Sequence, residues 1–217
     1  SGWNDQKLAD QIREDRVDIL VDLAAFTAGA RLQTFAMKPA PIQVTAWGFA
    51  HGTGLPEIDY FFADPIVIPE AERKDYAERI FDLPCIVPYR PPTEYGLNGT
   101  SPLPFYTNEY ITFGSFSRFE KLSDECLAMF AEILNKVPNS RLHLKDHAYR
   151  RPYAIRRVLA GMPGVEKERI LFGISTSHPE HMLAYQQVDL CLDTWPHGMG
   201  VVSMETLFMG VPLVTRY

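Results

Sequence analysis

The chain has 217 residues, 46% hydrophobic and 22% charged, with a net charge of −6. That is enough apolar material for one large packed domain or two small ones, and too much for a disordered chain. With no Lys/Arg block it lacks the cationic footprint that nucleic-acid binding needs, and no apolar run approaches the eighteen residues of a membrane span.

The opening Ser1-Gly-Trp-Asn-Asp5 has neither the basic start nor the apolar stretch of a secretory signal. The three cysteines, Cys85, Cys126 and Cys191, are widely spaced. They suggest no disulfide framework and no zinc site, and a reducing, cytoplasmic compartment is expected. Asn98-Gly-Thr100 matches a glycosylation acceptor, which without a secretory signal is read as chance.

In chain order, helical spacing is expected over 5–15. Val17-Asp-Ile-Leu-Val-Asp-Leu23 reads as a buried parallel strand, and 29–37 as a short helix stopped by Pro39. Strands follow at 42–47, 58–62 and 80–83, with a charged helix or loop at 70–79. Pro84, Pro88, Pro91, Pro92, Pro102 and Pro104, with Gly96 and Gly99, then mark 85–108 as linker or surface connection. A cleaner rhythm begins at Tyr110. Strands are expected at 110–114, 141–144, 169–172, 188–192 and 212–215, and helices at 124–136, 153–161, 179–186 and from Val201. Strands alternating with helices predict parallel, doubly wound α/β sheets. The last strand has no helix after it, so a fragment of a longer protein is expected. The division is 1–84 for a first lobe, 85–108 for a linker and 109–217 for an incomplete second lobe.

Chemistry concentrates near the end. Val188-Asp-Leu-Cys-Leu-Asp-Thr194 runs into Trp-Pro-His197-Gly-Met-Gly200, and a helix begins at Val201. Amides at a helix start carry partial positive charge and suit a phosphate. Glu205, one turn in, sits where a carboxylate can take ribose hydroxyls. Phosphate donors beside a ribose acceptor point to a nucleotide sugar, although strand-glycine-helix joints also occur where nothing binds.

Five collinear stretches carry a resemblance. They are Ile19-Leu-Val-Asp-Leu23 through Thr27-Ala-Gly-Ala-Arg31 to Phe35-Ala-Met-Lys-Pro-Ala-Pro-Ile-Gln43, and Trp47-Gly-Phe-Ala-His-Gly-Thr-Gly54 with Asp59-Tyr60 and Asp64. Next come Phe116-Ser-Arg-Phe-Glu-Lys121 with Val137-Pro-Asn-Ser140, and Glu180-His181 with Asp189-Leu-Cys-Leu-Asp-Thr194. The last is Glu205-Thr-Leu-Phe-Met-Gly-Val-Pro-Leu-Val-Thr215. Together they resemble the catalytic region of the O-linked N-acetylglucosamine (O-GlcNAc) transferase family, bacterial members included.

The resemblance implies a two-lobed GT-B glycosyltransferase, with part of the N-terminal, acceptor-side lobe and a Rossmann-like C-terminal lobe that grips a UDP-sugar. It implies N-acetylglucosamine transfer to Ser/Thr hydroxyls of a protein or peptide acceptor, with inversion and without a metal or other cofactor. Tetratricopeptide repeats are usual upstream in the family.

Residue by residue, Lys121 matches the lysine that contacts the diphosphate, His181 a histidine near the nucleotide, and Glu205 the ribose acid. His178 falls near a nucleotide-touching lysine, and Arg118 where glutamine is common. The family's Gly-His-Thr-Thr phosphate loop is Met199-Gly-Val-Val202 here. The backbone of Gly198, Gly200, Val201 and Val202 and the displaced His197 are the remaining phosphate candidates. Phe26 stands where bacterial members often have histidine.

The candidates for removing the acceptor's proton are Asp22, at a strand's C-terminal end, and His51, in a glycine-bounded loop; Asp22 reads equally as a loop cap. Two alternatives stay open. One is a degenerate nucleotide-sugar module. The other is a nicotinamide-dependent oxidoreductase, since Gly198-Met-Gly-Val-Val-Ser203 partly mimics the dinucleotide fingerprint.

Overall fold

The computed structural model describes residues 2–49, 51–87, 89–97 and 101–216, so the Asn98–Thr100 acceptor motif lies outside the described residues. The chain divides into two compact units, Ser1–Pro88 and Tyr89–Tyr217. Residues 89–97, read from the sequence as connection, belong to the second, where Tyr95 and Leu97 pack on a buried cluster. No helix among the described residues is long and apolar enough to cross a membrane.

The first unit holds helix α1 (Asp5–Glu14), strand β1 (Ile19–Asp22), helix α2 (Leu32–Ala36) and strands β2 (Ile42–Thr45), β3 (Tyr60–Ala63) and β4 (Arg79–Asp82). The strands lie in the order β1-β2-β3-β4, all parallel. Asn4 caps α1 by accepting from the Lys7 amide at 2.8 Å, and the Asp5 carboxylate ties α1 to α2 through Arg31 Nε at 2.8 Å and Thr34 Oγ1 at 2.7 Å. The α2 helix is shorter than its sequence pattern because Gly29, at φ 86°, still belongs to the preceding turn; it ends before Lys38, at φ 46°, and Pro39. The charged 70–79 segment is a 3-10 turn, Glu70–Asp75, followed by β4.

Buried Gln43, Thr45, Phe61 and Ala63 form the inward row of this sheet. The opposite row is open at Ile19, Val21, Leu23, Ile42 and Phe81, which are exposed, so β1 is not the doubly covered strand its apolar run predicts. Apolar alternation records what a strand is made of, and the layers around it decide what is covered.

The second unit contains α3 (Phe105–Asn108), β5 (Ile111–Ser115), α4 (Asp124–Lys136), β6 (Ser140–Lys145), α5 (Pro152–Ala160), β7 (Ile170–Gly173), α6 (His178–Ala184), β8 (Leu190–Leu192), α7 (Val201–Phe208) and β9 (Leu213–Val214). Its five parallel strands run β7-β6-β5-β8-β9. Chain order reverses between β5 and β8, the switch point at which such sheets bind ligands beyond the strands' carboxyl ends.

α4 occupies the residues its periodicity predicts, with Ser123 accepting from the Cys126 amide at 3.0 Å and Leu127, Phe130, Ala131 and Leu134 buried on one stripe. With α5 it covers one face of the sheet over Phe113, Leu142, Leu144 and Leu192. Met182, Tyr185, Met199 and Met209 cover the other over Phe116 and Cys191. β8 begins later than expected because Val188 is packed in that core and the Asp189 carboxylate receives the amides of Phe105 and Thr112, both at 2.8 Å. Cys126 and Cys191 are buried, Cys85 is exposed, and burial pushes the Cys191 thiol up to about 12.

Leu134 is fully enclosed, so Leu134→Ala should lower unfolding free energy by roughly 2–5 kcal/mol in urea titration. At Gly48 an added Cβ would lie 1.8 Å from the Leu23 carbonyl oxygen, which is backbone and cannot swing aside. Gly48→Ala should therefore destabilise the first unit, read as a lower thermal midpoint, against the usual gain from replacing glycine.

Candidate functional site

The β5–β8 switch point is lined by two loops. From β5 the chain passes Phe116, Ser117 and Arg118 into a 3-10 turn, Phe119–Lys121. From β8 it passes Asp193, Thr194, Trp195, Pro196 and His197 to Gly198, Met199 and Gly200, the N-cap of α7. Asp193 folds this second loop: its carboxylate accepts from the Thr194 amide at 2.7 Å, the Met199 amide at 2.8 Å and Thr215 Oγ1 at 3.0 Å. Thr194 Oγ1 donates to the His197 carbonyl at 2.6 Å, and Ser123, while capping α4, donates to the Trp195 carbonyl at 2.8 Å.

Gly200 adopts φ 67°, ψ −123°, which a side chain would strain, and it starts a helix whose first amides have no acceptor within the helix. The Lys121 ammonium donates to the Gly198 carbonyl at 2.5 Å, joining the two loops. Burial, then the nearby Arg118 charge, holds its pKa below the ordinary lysine value, with Asp193 pulling the other way. Lys121, Arg118 and the Gly198–Val202 backbone are thus gathered at one end of the sheet, as the sequence suggests. The exposed residues there include Arg118, His197, Gly198, Gly200 and Val201.

Beside this loop, α6 and α7 bring His178, His181 and Glu205 together. Glu205 is 7% exposed, and its carboxylate takes His178 Nε2 on Oε1 at 2.9 Å and His181 Nε2 on Oε2 at 3.3 Å. Burial raises its pKa, but the hydrogen bonds from His181 and His178 outweigh that and leave it below the usual carboxylate range. The sequence suggests a carboxylate presented to a ribose; the fold seats it between two imidazoles. Tyr95 Oη lies 3.0 Å from His178 Nδ1, and the two imidazoles stack at 6.4 Å. Tyr89, from the same segment as Tyr95, packs on Phe208, and its hydroxyl is buried with no hydrogen-bond partner.

The remaining candidates lie in the first unit. Asp22 is buried and accepts from the Ala24 amide at 3.1 Å, the Ala25 amide at 2.9 Å and Thr45 Oγ1 at 2.9 Å. It therefore acts as the cap that turns the chain after β1. His51 is exposed and its ring meets Phe49 edge-on at 5.7 Å; Phe49 meets Phe26 at 5.6 Å. The Glu78 carboxylate anchors this loop by accepting the Thr53 amide at 2.6 Å and the Thr53 hydroxyl.

Asp193, Tyr95, Lys145 and Glu78 were not singled out by the sequence. The available signals are that Asp193 and Lys145 each sit at the carboxyl end of a predicted strand, and that Asp193 lies within the Asp189–Thr194 stretch. Among the described residues no group of three or more His, Cys, Asp and Glu side chains is arranged to hold a metal ion.

A carboxylate whose pKa is lowered on folding adds stability above its unfolded value, near 4.5, and loses that contribution as pH falls through its folded value. The gap in thermal midpoint between the native protein and Glu205→Gln should be widest above that pH and narrow in more acidic buffer.

Comparison with known proteins places the chain in a family and a fold. The model of glycosyl transferase family 41 matches residues 3–86 and 103–216. A probable UDP-N-acetylglucosamine–peptide N-acetylglucosaminyltransferase of Arabidopsis thaliana, SPINDLY, is 38% identical over 218 residues, covering 99% of this chain and 24% of its own length. A second Arabidopsis protein of the same description, SEC, is 32% identical over 228 residues, covering 99% of this chain and 23% of its own length. The chain thus spans about a quarter of these relatives. The solved structure of a mutant O-GlcNAc transferase from Thermobaculum terrenum superposes with a TM-score of 0.91 at 32% identity, over 98% of this chain and 40% of that one. Trehalose-6-phosphate synthase, at 13% identity and a TM-score of 0.60 over 97% of this chain and 60% of its own, shares the fold. The chain belongs to glycosyl transferase family 41, with the GT-B fold of its O-GlcNAc transferases.

Proposed function

We propose that the full-length protein transfers N-acetylglucosamine from UDP-N-acetylglucosamine to Ser or Thr hydroxyls of a protein acceptor, with inversion and without a metal. The second unit would bind the donor. The observation that carries this is the meeting of Lys121 with the Gly198 carbonyl directly before the Gly200-capped helix. A departing nucleoside diphosphate develops negative charge, and preorganised cations and amides stabilise that charge more in the transition state than in the ground state. Lys121 would exchange its carbonyl partner for a diphosphate oxygen, Arg118 and His197 would add donors, and the backbone at Gly198, Gly200, Val201 and Val202 would supply amides. His178, His181 and Glu205 would line the nucleoside side.

For the acceptor's proton, His51 has the better claim of the two candidates, because the lone pairs of Asp22 are already engaged by backbone and threonine donors. Free cysteines support a cytoplasmic setting, and family membership supports tetratricopeptide repeats elsewhere in the protein.

A non-catalytic nucleotide-sugar module is the second reading, favoured by Val201 and Val202 in place of hydroxyl donors. Calorimetry with UDP and turnover of radiolabelled UDP-N-acetylglucosamine by the full-length protein separate the two. Both readings expect UDP binding, and only the first expects transfer to peptide. Lys121→Met should weaken UDP binding about 10- to 100-fold, the range of a hydrogen bond to a charged group. Absence of UDP binding to the native protein would overturn both.

A further inference from the structure

Three hydrogen bonds and one ion-pair contact join five side chains into one line. Lys145 Nζ meets His181 Nδ1 at 3.0 Å, and His181 Nε2 meets Glu205 Oε2 at 3.3 Å. Glu205 Oε1 meets His178 Nε2 at 2.9 Å, and His178 Nδ1 meets the Tyr95 hydroxyl at 3.0 Å. Lys145 closes β6 and is only 7% exposed, an unusual place for a lysine unless its ammonium is partnered.

The donor inventory fixes the direction wherever an ammonium or a carboxylate takes part. An ammonium only donates, so Lys145 supplies protons to Thr176 Oγ1, at 3.1 Å, and to His181 Nδ1. A neutral imidazole that accepts at Nδ1 carries its proton at Nε2, and there His181 faces Glu205. The Tyr185 hydroxyl, 3.4 Å from the same Nε2, has the Val202 carbonyl at 3.4 Å as its acceptor. On the far side His178 Nε2–H donates to the other carboxylate oxygen, and its Nδ1 meets the Tyr95 hydroxyl. The result is a line with an ammonium at one end and a carboxylate between two rings.

We propose that Lys145 is a positioning residue for the nucleotide site, holding His181 as the neutral Nε2–H tautomer so that Glu205 and the start of α7 are fixed for the nucleotide. The proposal rests on the nucleotide-sugar reading above. The Nδ1 of His181 faces the ammonium, so the tautomer with its proton on Nε2 is the one this contact favours. Burial lowers the pKa of Lys145, while Glu180 and Glu205 raise it, so the carboxylate beyond His181 helps to keep the cation charged. His143, the neighbouring ring two residues earlier on β6, is itself pushed down to about 4 by burial and by Lys145, and adds no competing charge.

The test is Lys145→Met in the full-length protein, with two readouts. Nitrogen-15 shifts of labelled histidine, assigned by comparison with His181→Phe, should show His181 protonated at Nε2 alone in the native protein and gaining a proton at Nδ1 in the variant. UDP affinity should fall about tenfold, and in a His181→Phe background Lys145→Met should add no further loss, since coupled residues are not additive. An unchanged His181 tautomer in Lys145→Met, or losses that simply add, would overturn the proposal. If the methionine variant fails to fold, the native spectrum still decides, because a His181 carrying a proton at Nδ1 contradicts the assignment. If the native protein binds no UDP, the nucleotide reading fails, while the tautomer measurement still judges the contact of Lys145 with His181.

Discussion

The loop after β8 depends on one carboxylate. Asp193 ends a strand at the point where the sheet's order reverses, and its two oxygens hold the amides of Thr194 and Met199 and the hydroxyl of Thr215. With those donors satisfied, the loop can present the Gly198 carbonyl to Lys121 and enter α7 through the left-handed Gly200. Without them, buried amides would lack partners and the loop would have no reason to keep this path. The same acid lies near enough to pull the Lys121 pKa upward, so the loop's organiser and the principal cation are electrostatically coupled.

Around this loop, charge is handled by pairing within a dry region. Glu205 and Lys145 are both buried, and each would be costly alone. They are separated by His181, which receives a hydrogen bond from Lys145 and turns its other ring nitrogen toward Glu205. Direction is what a recognition site needs, because it fixes which atoms are donors before a ligand arrives. The hydroxyl donors of the family's phosphate loop are replaced here by Val201 and Val202. In the function proposed above, phosphate binding would be left to backbone and lysine and would rest more heavily on the geometry of Gly200.

Family 41 membership and the parallel α/β class follow from stretches that read locally. The α4 helix has its cap, its stripe and its stop in adjacent residues, so periodicity places it at the bounds the fold adopts. Lys121, His181 and Glu205 were also legible, because they fall inside collinear motifs, while His178 was named only for lying near a family lysine. Local reading does less well at strand edges such as 188–192, where the core position of Val188 and the bonds made by Asp189 delay the strand.

By itself, then, the sequence determined the element types and the family, and named cations and acids that the fold gathers near α6 and α7, since each of these is written in neighbouring residues. Only the tertiary structure decided what those groups do to one another. Asp22 becomes a loop cap rather than a free base, because Thr45 lies across the next strand. Glu205 becomes the centre of two imidazoles, because α6 and α7 meet, and Lys145 enters the site from the end of β6 across 36 residues of chain. Side-chain partnership is set by strand order and helix packing, and no local pattern encodes it.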